Sequence, residues 1–395
     1  MTYPVLSALG ICCALGNNKQ QVWQNAIRAS RVGMKARTDL LTTGADVIVG
    51  EVAAELPDAS GWPAAFQTRN NQLAALAFAE IAAEVMAVRS QCGAHRVAVV
   101  IGSSTSGVAE GETAIACQVE QNCFPAQFTY SMQEMHAPAK FIAYLADVSG
   151  PCYAISTACS SSARALMTAR TLLQADLADA VIVGGVDSLC RLTLNGFNAL
   201  ESIAKGYCQP FAAGRDGINI GEGAALFVMQ KLPQGVALLG AGASSDAHHM
   251  SAPHPQGRGA VAAIRQACDN AGITPQQIGY INAHGTATPL NDSMESYALQ
   301  VLGLEQTPVS SSKCLTGHTL GAAGAIEAAL CWLTLSVYNT NNRLVPQHWD
   351  GEPDSALAPL NFVRNNQALS VQYCLSNSFA FGGNNVALIL GKKHD

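Results

Sequence analysis

A cysteine at the end of a strand-like segment is the strongest candidate for covalent chemistry in this sequence. Cys159 lies in Ser156–Ala163 (STACSSSA) and precedes an Ala-rich helix predicted over Ser160–Gln174. Unpaired backbone N–H groups and the positive end of the helix dipole stabilise a thiolate over a thiol, and small neighbours leave the sulfur accessible. We therefore expect a nucleophile with a lowered pKa, against the alternative that Cys159 is one of 13 mostly buried, inert cysteines.

Two histidines stand beside glycines in separate turns of the second half of the chain. His284 begins the run HGTATP, and His318 ends the run KCLTGH just before a second Ala-rich helix, predicted over Leu320–Val337. The glycines let the backbone crowd a site. The positive end of a helix disfavours imidazolium, so we expect a neutral His318 that donates a hydrogen bond. Either histidine alone is also compatible with ordinary packing.

A glycine-containing loop, Asn377–Asn385 (NSFAFGGNN), precedes the last predicted strand. The glycines after Phe381 let such a loop swing and present a backbone N–H to a developing oxyanion, although the segment alone is also an ordinary hairpin turn. No GxGxxG run follows a strand and no ligand cluster has metal spacing, so we expect neither a phosphate loop nor a metal. Three histidines of an Asp- and Pro-containing loop are interpreted as loop packing: His248, His249 and His254.

The elements that would position these residues alternate between apolar strands and helices. Apolar runs without polar alternation suit strands that are buried on both faces, which indicates a layered α/β fold. Strands are predicted at Val97–Gly102, Asp179–Val186, Ile278–Ala283 and Val386–Leu390, and helices at Leu73–Ala87, Ala260–Ala271 and Glu327–Val337.

The succession of strand, turn and Ala-rich helix occurs once around Cys159 and again around His318, which indicates two related halves. A break at KLPQG would divide them into residues 1–234 and 235–395. Within the first half, residues 103–153 have a mixed pattern, and we expect a cap insertion there.

The composition excludes several classes of protein. Only 13% of the 395 residues are charged and 49% are hydrophobic, which excludes a disordered chain or a coiled coil. The formal charge is −6 and there is no basic run, so we expect no nucleic-acid partner. So few charges also indicate that some surface is buried against another subunit, and we expect a dimer.

The cellular compartment follows from what the chain lacks. Its start has neither the basic segment nor the uninterrupted apolar core of a signal peptide, and no apolar run reaches the roughly 18 residues of a membrane span. The 13 cysteines are odd in number and contain no CxxC. A reduced, cytoplasmic protein without a disulfide framework is therefore expected.

Taken together, these segments resemble one family closely: the β-ketoacyl-[acyl carrier protein] synthases, which are the condensing enzymes of fatty-acid and polyketide synthesis. The matching runs follow the family's order across most of the chain: STACSSS, PFAAGRDG, GEGAA, SSDAHHM, HGTATPLND, KCLTGHTLGAAGAIE and NSFAFGGNN. The resemblance implies a thiolase-like α/β fold. In that fold two similar βαβαβαββ halves form a five-layered α-β-α-β-α architecture.

The resemblance also implies catalytic roles. Cys159 would accept the acyl primer as a thioester. His284 and His318 would form the pair that promotes decarboxylation of the malonyl group and holds its thioester oxygen as negative charge develops there. Lys313 and Glu327 match the family's charged pair that orders the site behind the histidines.

Further residues match positions that bind the substrate. The backbone N–H groups of Cys159 and Phe381 would form the oxyanion hole, and Phe381 would gate the acyl pocket. Thr286 and Thr288 would contact the pantetheine arm, and Phe379 would also line the substrate site. The reaction would be the decarboxylative Claisen condensation of an acyl-thioester primer with malonyl-ACP, without a cofactor beyond the carrier's phosphopantetheine arm.

The implied partners are an acyl carrier protein (ACP) and either a second copy of the chain or a ketosynthase-like chain-length factor. The sequence departs from the family at several positions: Ala212 stands where an aspartate is usual, Gln209 where a basic residue is common, and Ala380 where glycine precedes the gate. The run Gln67–Asn71 carries only one basic residue, Arg69. These departures favour a specialised relative, similar to the ketosynthases of bacterial aryl polyene pathways, with a thinned or altered carrier-docking patch.

Alternatives from other functional classes are weaker. A thiolase would need a second active cysteine near the C-terminal glycine loop, yet the last cysteine, Cys374, comes before it. The initiating (type III) synthases pair their cysteine and histidine with asparagine, which the His318 turn argues against. A catalytically silent chain-length-factor-like subunit would lack the nucleophile, and a cysteine hydrolase would need a water-activating acid. A thiolase-superfamily acyltransferase without elongation also stays open.

Overall fold

The computed structural model describes residues 3–349 and 351–393. Its strands, β1 to β13 in chain order, are Val5–Cys13, Met34–Arg37, Val47–Gly50, Val97–Gly102, Cys152–Ile155, Ala180–Asp187, Gly223–Gln230, Gly235–Ser245, Tyr280–Asn282, Pro308–Ser310, Asn361–Phe362, Tyr373–Ala380 and Asn384–Lys393. Its helices, α1 to α11, are Lys19–Ala26, Arg69–Ala79, Ala82–Cys92, Val108–Gln121, Ala137–Ala146, Ser161–Gln174, Arg191–Ala199, Arg258–Ala271, Pro289–Val301, Lys313–Thr316 and Ala323–Leu335.

Eleven strands form one mixed sheet in the order β11-β10-β9-β12-β13-β8-β1-β7-β6-β4-β5, and β2 pairs with β3 separately. The sheet narrows in its middle, where β8 and β1 pair at one position, between Val5 and Ala237. This joint leaves two groups of strands. The first contains β1 and β4 to β7, and the second contains β8 to β13.

The hydrophobic core divides into layers on the two faces of these strands. Along β4, Ala98 and Val100 face the central core, whereas Val97, Val99 and Ile101 face an outer core, as the two-residue period of a strand requires. The central core is filled by α6 and α11, which contact both groups of strands. Helices α2, α3 and α5 cover the outer face of the first group, and α8 and α9 cover the second. The expected five-layered α-β-α-β-α arrangement is therefore confirmed.

Most elements predicted from the sequence are present with small shifts of their ends. The strand at Val97–Gly102 is β4, and the predicted helix Ser160–Gln174 begins one residue later as α6. The helix predicted over Leu73–Ala87 is wrong, because two helices, α2 and α3, meet there. At the break, the Glu80 carboxylate accepts hydrogen bonds from the backbone N–H of Ile11 at 3.1 Å and from Lys19 Nζ at 3.1 Å, which ties this turn to β1 and α1.

The segment 103–153 contains two helices with different surroundings. In α5, Phe141 and Ile142 are fully buried in the outer core beneath the first group of strands. In α4, Ile115 and Val119 are 56% and 79% exposed. No helix within the described residues is long and apolar enough to cross a membrane.

Candidate active site

Cys159 sits in a tight turn between the end of β5 and the start of α6. The preceding residue, Ala158, has φ = 52°, a left-handed conformation that a residue with a Cβ adopts only at a cost in energy. Ser161 holds the turn: its Oγ accepts from the Thr157 N–H at 2.9 Å and donates to the Ala158 carbonyl at 2.6 Å. The strained turn presents the Cys159 side chain to a cavity, although the residue is only 6% exposed.

The thiol of Cys159 is protonated at neutral pH, because burial raises its pKa to about 11. The positive charge of Lys313 and the backbone N–H of Phe381, which donates to the sulfur, act in the opposite direction but do not outweigh burial. The lowered pKa expected from the helix N-terminus is therefore wrong. The sulfur must lose its proton as it attacks, so an acceptor has to lie in the same cavity.

The His284 turn follows β9 and is anchored by a buried glutamate. Glu295 of α9 is fully buried and accepts hydrogen bonds from the backbone N–H groups of His284 at 2.8 Å and Gly285 at 2.7 Å. Asn377 Nδ2 of β12 donates to the same carboxylate at 3.1 Å. Gly285 leaves no room for a side chain, since a Cβ there would lie 2.8 Å from the ring of Phe211. The backbone of the His284 turn is thus fixed by Glu295 and by the close packing at Gly285.

The His318 turn is held by backbone contacts to the segment after α7. The His318 N–H donates to the Asn219 carbonyl at 2.6 Å, and the His318 carbonyl accepts from the Gly221 N–H at 2.9 Å. Gly317 has φ = 68°, which explains the glycine before this histidine. Neither ring nitrogen of His318 has a hydrogen-bond partner within the described part of the chain. His318 also lines the cavity, so its hydrogen-bonding capacity is left for a substrate there.

The two imidazoles lie side by side, with ring centroids 5.4 Å apart and planes at 85°. Burial is the main cause that lowers the pKa of each well below its usual value, and the charge of Lys313 acts in the same direction. The neutral His318 expected from the sequence is confirmed. The cause is burial and not the dipole of the following helix, because a 3₁₀ turn at Leu320–Ala322 separates this ring from α11.

Lys313 joins His284 to Glu327 of α11. Its Nζ donates to the His284 carbonyl and the Glu327 carboxylate, and lies 3.3 Å from His284 Nδ1. An ammonium cannot accept a hydrogen bond, so this contact places the His284 proton on Nε2. The Lys313 and Glu327 side chains are 2% and 3% exposed, and burial raises the pKa of Glu327 to about 7.

The loop after β12 brings Phe381 to the thiol of Cys159. The Phe381 ring packs against Phe197 of α7 at 5.5 Å between centroids. Gly382 then turns with φ = 80° and donates its N–H to the Met250 carbonyl at 2.7 Å. The gate loop is therefore tied to the loop that follows β8.

A cavity of about 280 Å³ joins these residues. Of the site residues assigned from the sequence, only Lys313 and Glu327 do not line it. The others do: Cys159, His284, His318, Thr286, Thr288, Phe379 and Phe381. The hydroxyls of Thr286 and Thr288 are hydrogen-bonded to each other at 2.9 Å. The structure thus brings the nucleophile candidate, both histidines and the gate together from turns far apart in the sequence.

Sequence reasoning missed the buried carboxylates that hold the turns. One of them is Asp187, at the carboxyl end of β6, which accepts from the hydroxyls of Ser103 and Thr105 and from the N–H of Ala322. It therefore joins the end of β4 to the start of α11. An acidic residue directly after an apolar strand was a usable signal. Glu295 gave a weaker signal, since only its apolar neighbours in α9 mark it as buried.

The structure also shows the surroundings of two positions noted in the comparison with the family pattern, Arg69 and Ala212. Arg69 pairs with the fully buried Glu222, which fixes its guanidinium to the fold. Ala212 is buried, and Arg215 donates to the Ala212 carbonyl at 2.9 Å and to Asp354 at 2.6 Å. The three histidines interpreted as loop packing lie in the loop after β8, where the rings of His248 and His254 are 5.1 Å apart.

Comparisons with known proteins agree with this geometry. The N-terminal domain model of beta-ketoacyl synthases matches residues 5–235, and the C-terminal domain model matches residues 236–344. The chain therefore belongs to the beta-ketoacyl synthase family, with a thiolase-like fold, and it is an acyltransferase of the condensing-enzyme class.

Individual relatives support the same assignment. The 3-oxoacyl-[acyl-carrier-protein] synthase 2 of Staphylococcus aureus (strain COL) is 30% identical over 415 residues, covering 98% of each chain. The ketosynthase ApeO of Xenorhabdus doucetiae, solved in complex with its chain length factor ApeC, is 44% identical with a TM-score of 0.95, covering 99% of this chain and 98% of that one. A beta-ketoacyl synthase from Burkholderia phymatum STM815 is 26% identical with a TM-score of 0.85, covering 99% of this chain and 100% of that one.

Proposed function

We propose that Cys159, His284 and His318 catalyse decarboxylative condensation of an acyl primer with malonyl-ACP. The observation that carries this proposal is a single cavity that contains a thiol, the backbone N–H of Phe381 and two neutral imidazoles. A thiol next to an amide donor suits acyl transfer, and neutral imidazoles suit stabilisation of an enolate oxygen.

In the first step the Cys159 sulfur attacks the primer's thioester carbonyl. The thiol proton passes to a neutral imidazole, and the N–H groups of Cys159 and Phe381 hold the carbonyl oxygen as it becomes negative. The bond to the carrier's sulfur then breaks, and the carrier leaves as a thiol with that proton. The product is an acyl group bound to Cys159 as a thioester.

In the second step malonyl-ACP places its thioester oxygen between the two histidines. Breaking the bond to the carboxylate releases CO2 and leaves the electron pair as an enolate, whose oxygen accepts hydrogen bonds from His284 Nε2–H and from His318. Each such donor is worth about 3 kcal/mol of barrier, by comparison with the loss of one oxyanion-hole donor. The enolate carbon then attacks the acyl carbonyl, and the Cys159 sulfur leaves as a thiolate. One proton taken up from solvent restores the thiol, so the step consumes one proton.

The remaining site residues position these groups. Lys313 holds His284 at its carbonyl and at Nδ1, and Glu327 balances its charge in a buried place. Thr286 and Thr288 contact the pantetheine arm along the cavity wall, where Phe379 provides an apolar surface. The reaction needs no cofactor beyond the carrier's own arm, because the imidazoles and amides supply the charge stabilisation.

The partners follow from the family and from the surface. The substrate carrier is an acyl carrier protein. Strand β5 lies at the end of the sheet and pairs with β4 alone among the described strands, with all four of its residues half-buried. Because a free strand edge and the exposed apolar face of α4 favour a second subunit, we assign a homodimer or a heterodimer with a chain-length factor.

The identity of 44% to ApeO, together with Ala212 and Ala380, supports an aryl polyene pathway. The proposed compartment is the cytoplasm, which is supported by 13 cysteines none of which forms a disulfide in the described structure. The proposed halves are residues 1–234 and 235–395, with the cap at about 103–153.

Intact-mass spectrometry tests the proposal most directly. After incubation with acyl-ACP, the protein should gain one acyl group, and Cys159→Ala should gain none. Cys190→Ala is the matched control, since this buried cysteine is outside the cavity lining and its variant should still be acylated. A persistent adduct on Cys159→Ala would refute the nucleophile assignment.

A further inference from the structure

One buried carboxylate lies between the turn that carries Cys159 and the turn that carries His318. Asp187, the last residue of β6, is fully buried and accepts five hydrogen bonds from the described residues. Its two oxygens serve different segments: Oδ1 accepts four of these bonds from residues after β4, whereas Oδ2 accepts the fifth from the turn after His318. A carboxylate shared in this way can fix the distance between two turns.

On the first side, Oδ1 holds the segment that follows β4. It accepts from the Ser103 hydroxyl at 2.9 Å, from the N–H groups of Ser104 and Thr105 at 2.7 Å each, and from the Thr105 hydroxyl at 2.8 Å. The Ser103 oxygen in turn accepts from the Ser106 N–H at 3.0 Å, which leaves the Ser103 proton for Asp187. Four donors therefore fix the position of this oxygen.

On the second side, Oδ2 holds the 3₁₀ turn that separates His318 from α11. The Ala322 N–H is shared between Asp187 Oδ2 and the Thr319 carbonyl, each at 3.0 Å. Leu320, inside the turn, has φ = 49°, a left-handed conformation that a residue with a side chain keeps only where its surroundings fix it. Asp187 is one of the groups that fix it.

The two sides meet at Ser104. Its hydroxyl donates to the carbonyl of Ala158, the strained residue directly before Cys159, at 3.4 Å. Gly321 of the 3₁₀ turn packs against the same residue, because a Cβ at Gly321 would lie 2.7 Å from Ser104 Oγ and 2.8 Å from Asp187 Oδ2. A continuous set of contacts thus joins the nucleophile turn to the histidine turn.

We infer that Asp187 is a positioning residue of the condensation reaction, which fixes His318 relative to the Cys159 sulfur. This inference rests on the proposed function. In Asp187→Asn, the amide oxygen would keep the four donors at the Oδ1 position, so the amide N–H groups would face the Ala322 N–H. Two donors would then oppose each other on the second side alone. Only the His318 turn would loosen, and the two half-reactions would respond differently.

The test measures the two half-reactions of Asp187→Asn in the full chain, with any partner subunit that it requires. Acyl transfer from acyl-ACP to Cys159, followed by intact-mass spectrometry, should stay within about threefold of wild type, because this step does not depend on His318. The kcat for CO2 release from malonyl-ACP should fall by about tenfold or more, since misplacing a reacting group by about 1 Å costs up to about 10²-fold. Its KM should stay within about threefold, because the contacts of the pantetheine arm are elsewhere in the cavity.

Three further variants show whether the effect passes through His318. Asp179→Asn is the matched control at the other end of β6, where Asp179 is exposed and pairs with Arg96 at 2.9 Å, and it should change neither step. In the His318→Ala background, Asp187→Asn should slow CO2 release by less than about twofold more, since no ring is left to position. Gly321→Ala disturbs the same junction from the histidine side and should separate the half-reactions in the same way.

Unchanged CO2 release in Asp187→Asn would overturn the inference. So would equal slowing of both half-reactions, or a full additional loss in the His318→Ala background, because either result indicates a general loss of structure. Urea unfolding of each variant checks the fold, and Gly321→Ala decides the question if Asp187→Asn does not fold. If wild-type protein formed no acyl adduct, or if His318→Ala released CO2 at the wild-type rate, the proposed function itself would fail.

Discussion

Replacing Lys313 by methionine tests how the buried charges behind the histidines are balanced. The Lys313 and Glu327 side chains are 2% and 3% exposed, and the pKa of Glu327 is already raised to about 7. Removing one partner of a buried ion pair costs about 3–5 kcal/mol when the other stays charged. A carboxylate can avoid this cost by taking up a proton, so Lys313→Met should raise the pKa of Glu327 above 7.

The sign of the pH dependence follows from proton counting. In the unfolded chain the Glu327 pKa is near 4.5. Below pH 7, folded Glu327 is protonated in both proteins, so the difference in their free energies of unfolding should be flat. Above pH 7 only the folded variant keeps this proton, and it loses about 1.4 kcal/mol of stability per pH unit relative to wild type until its own pKa is reached.

Urea unfolding from pH 6 to 9 at fixed protein concentration, followed by tryptophan fluorescence, would measure this difference. The control pair is Glu327→Gln with and without Lys313→Met. Without the carboxylate, the loss above pH 7 should disappear, because no proton is left to count at this position. A difference in stability that stays flat from pH 6 to 9 would contradict the predicted proton uptake by Glu327. So would a pH-dependent difference that persists in the Glu327→Gln background.

Two further predictions concern the histidine pair and the subunits. His318→Ala should keep acyl transfer to Cys159 while slowing CO2 release from malonyl-ACP by about 10²–10³-fold, the effect of losing one oxyanion donor; unchanged release in a radiometric assay would remove this role. Size-exclusion light scattering should show a dimer because the β5 edge and the apolar α4 face are uncovered in one chain. A monomer at micromolar concentration, both alone and with the chain-length subunit, would contradict that assignment.

The sequence alone was sufficient for the elements with a strong local signal. Strand β4 was predicted with its observed ends because six consecutive apolar residues leave no other place for it than the interior of a sheet. The cavity residues were found because they match motifs of the resembled family, in which Cys159, His284 and His318 each stand beside serine or glycine in a turn. The lining confirms that Cys159, His284 and His318 meet in one cavity.

The contacts that hold the turns, and the pKa of Cys159, depend on which distant residues the fold brings together, and a linear pattern does not show this. The Glu80 contact that ends α2 joins residues 69 positions apart. Asp187 binds Ser103 across 84 positions. Cys159 was expected to have a lowered pKa from its position near a helix N-terminus, but burial reverses the sign, and burial is a property of the whole fold.

Burial is the main cause both of the raised pKa of Cys159 and of the lowered pKa values of His284 and His318. Burial disfavours every ionised form, so the cavity wall offers a thiol and two neutral rings. No lining residue among those described is lysine or arginine, so on the proposed mechanism a malonyl carboxylate in this cavity exchanges water for a wall without a cationic partner. Loss of neutral CO2 relieves that burial and moves the charge to the thioester oxygen, where the imidazole donors are. On the proposed mechanism, the same burial that slows ionisation of the thiol therefore favours decarboxylation. The two imidazoles are needed at the thioester oxygen, where the negative charge develops.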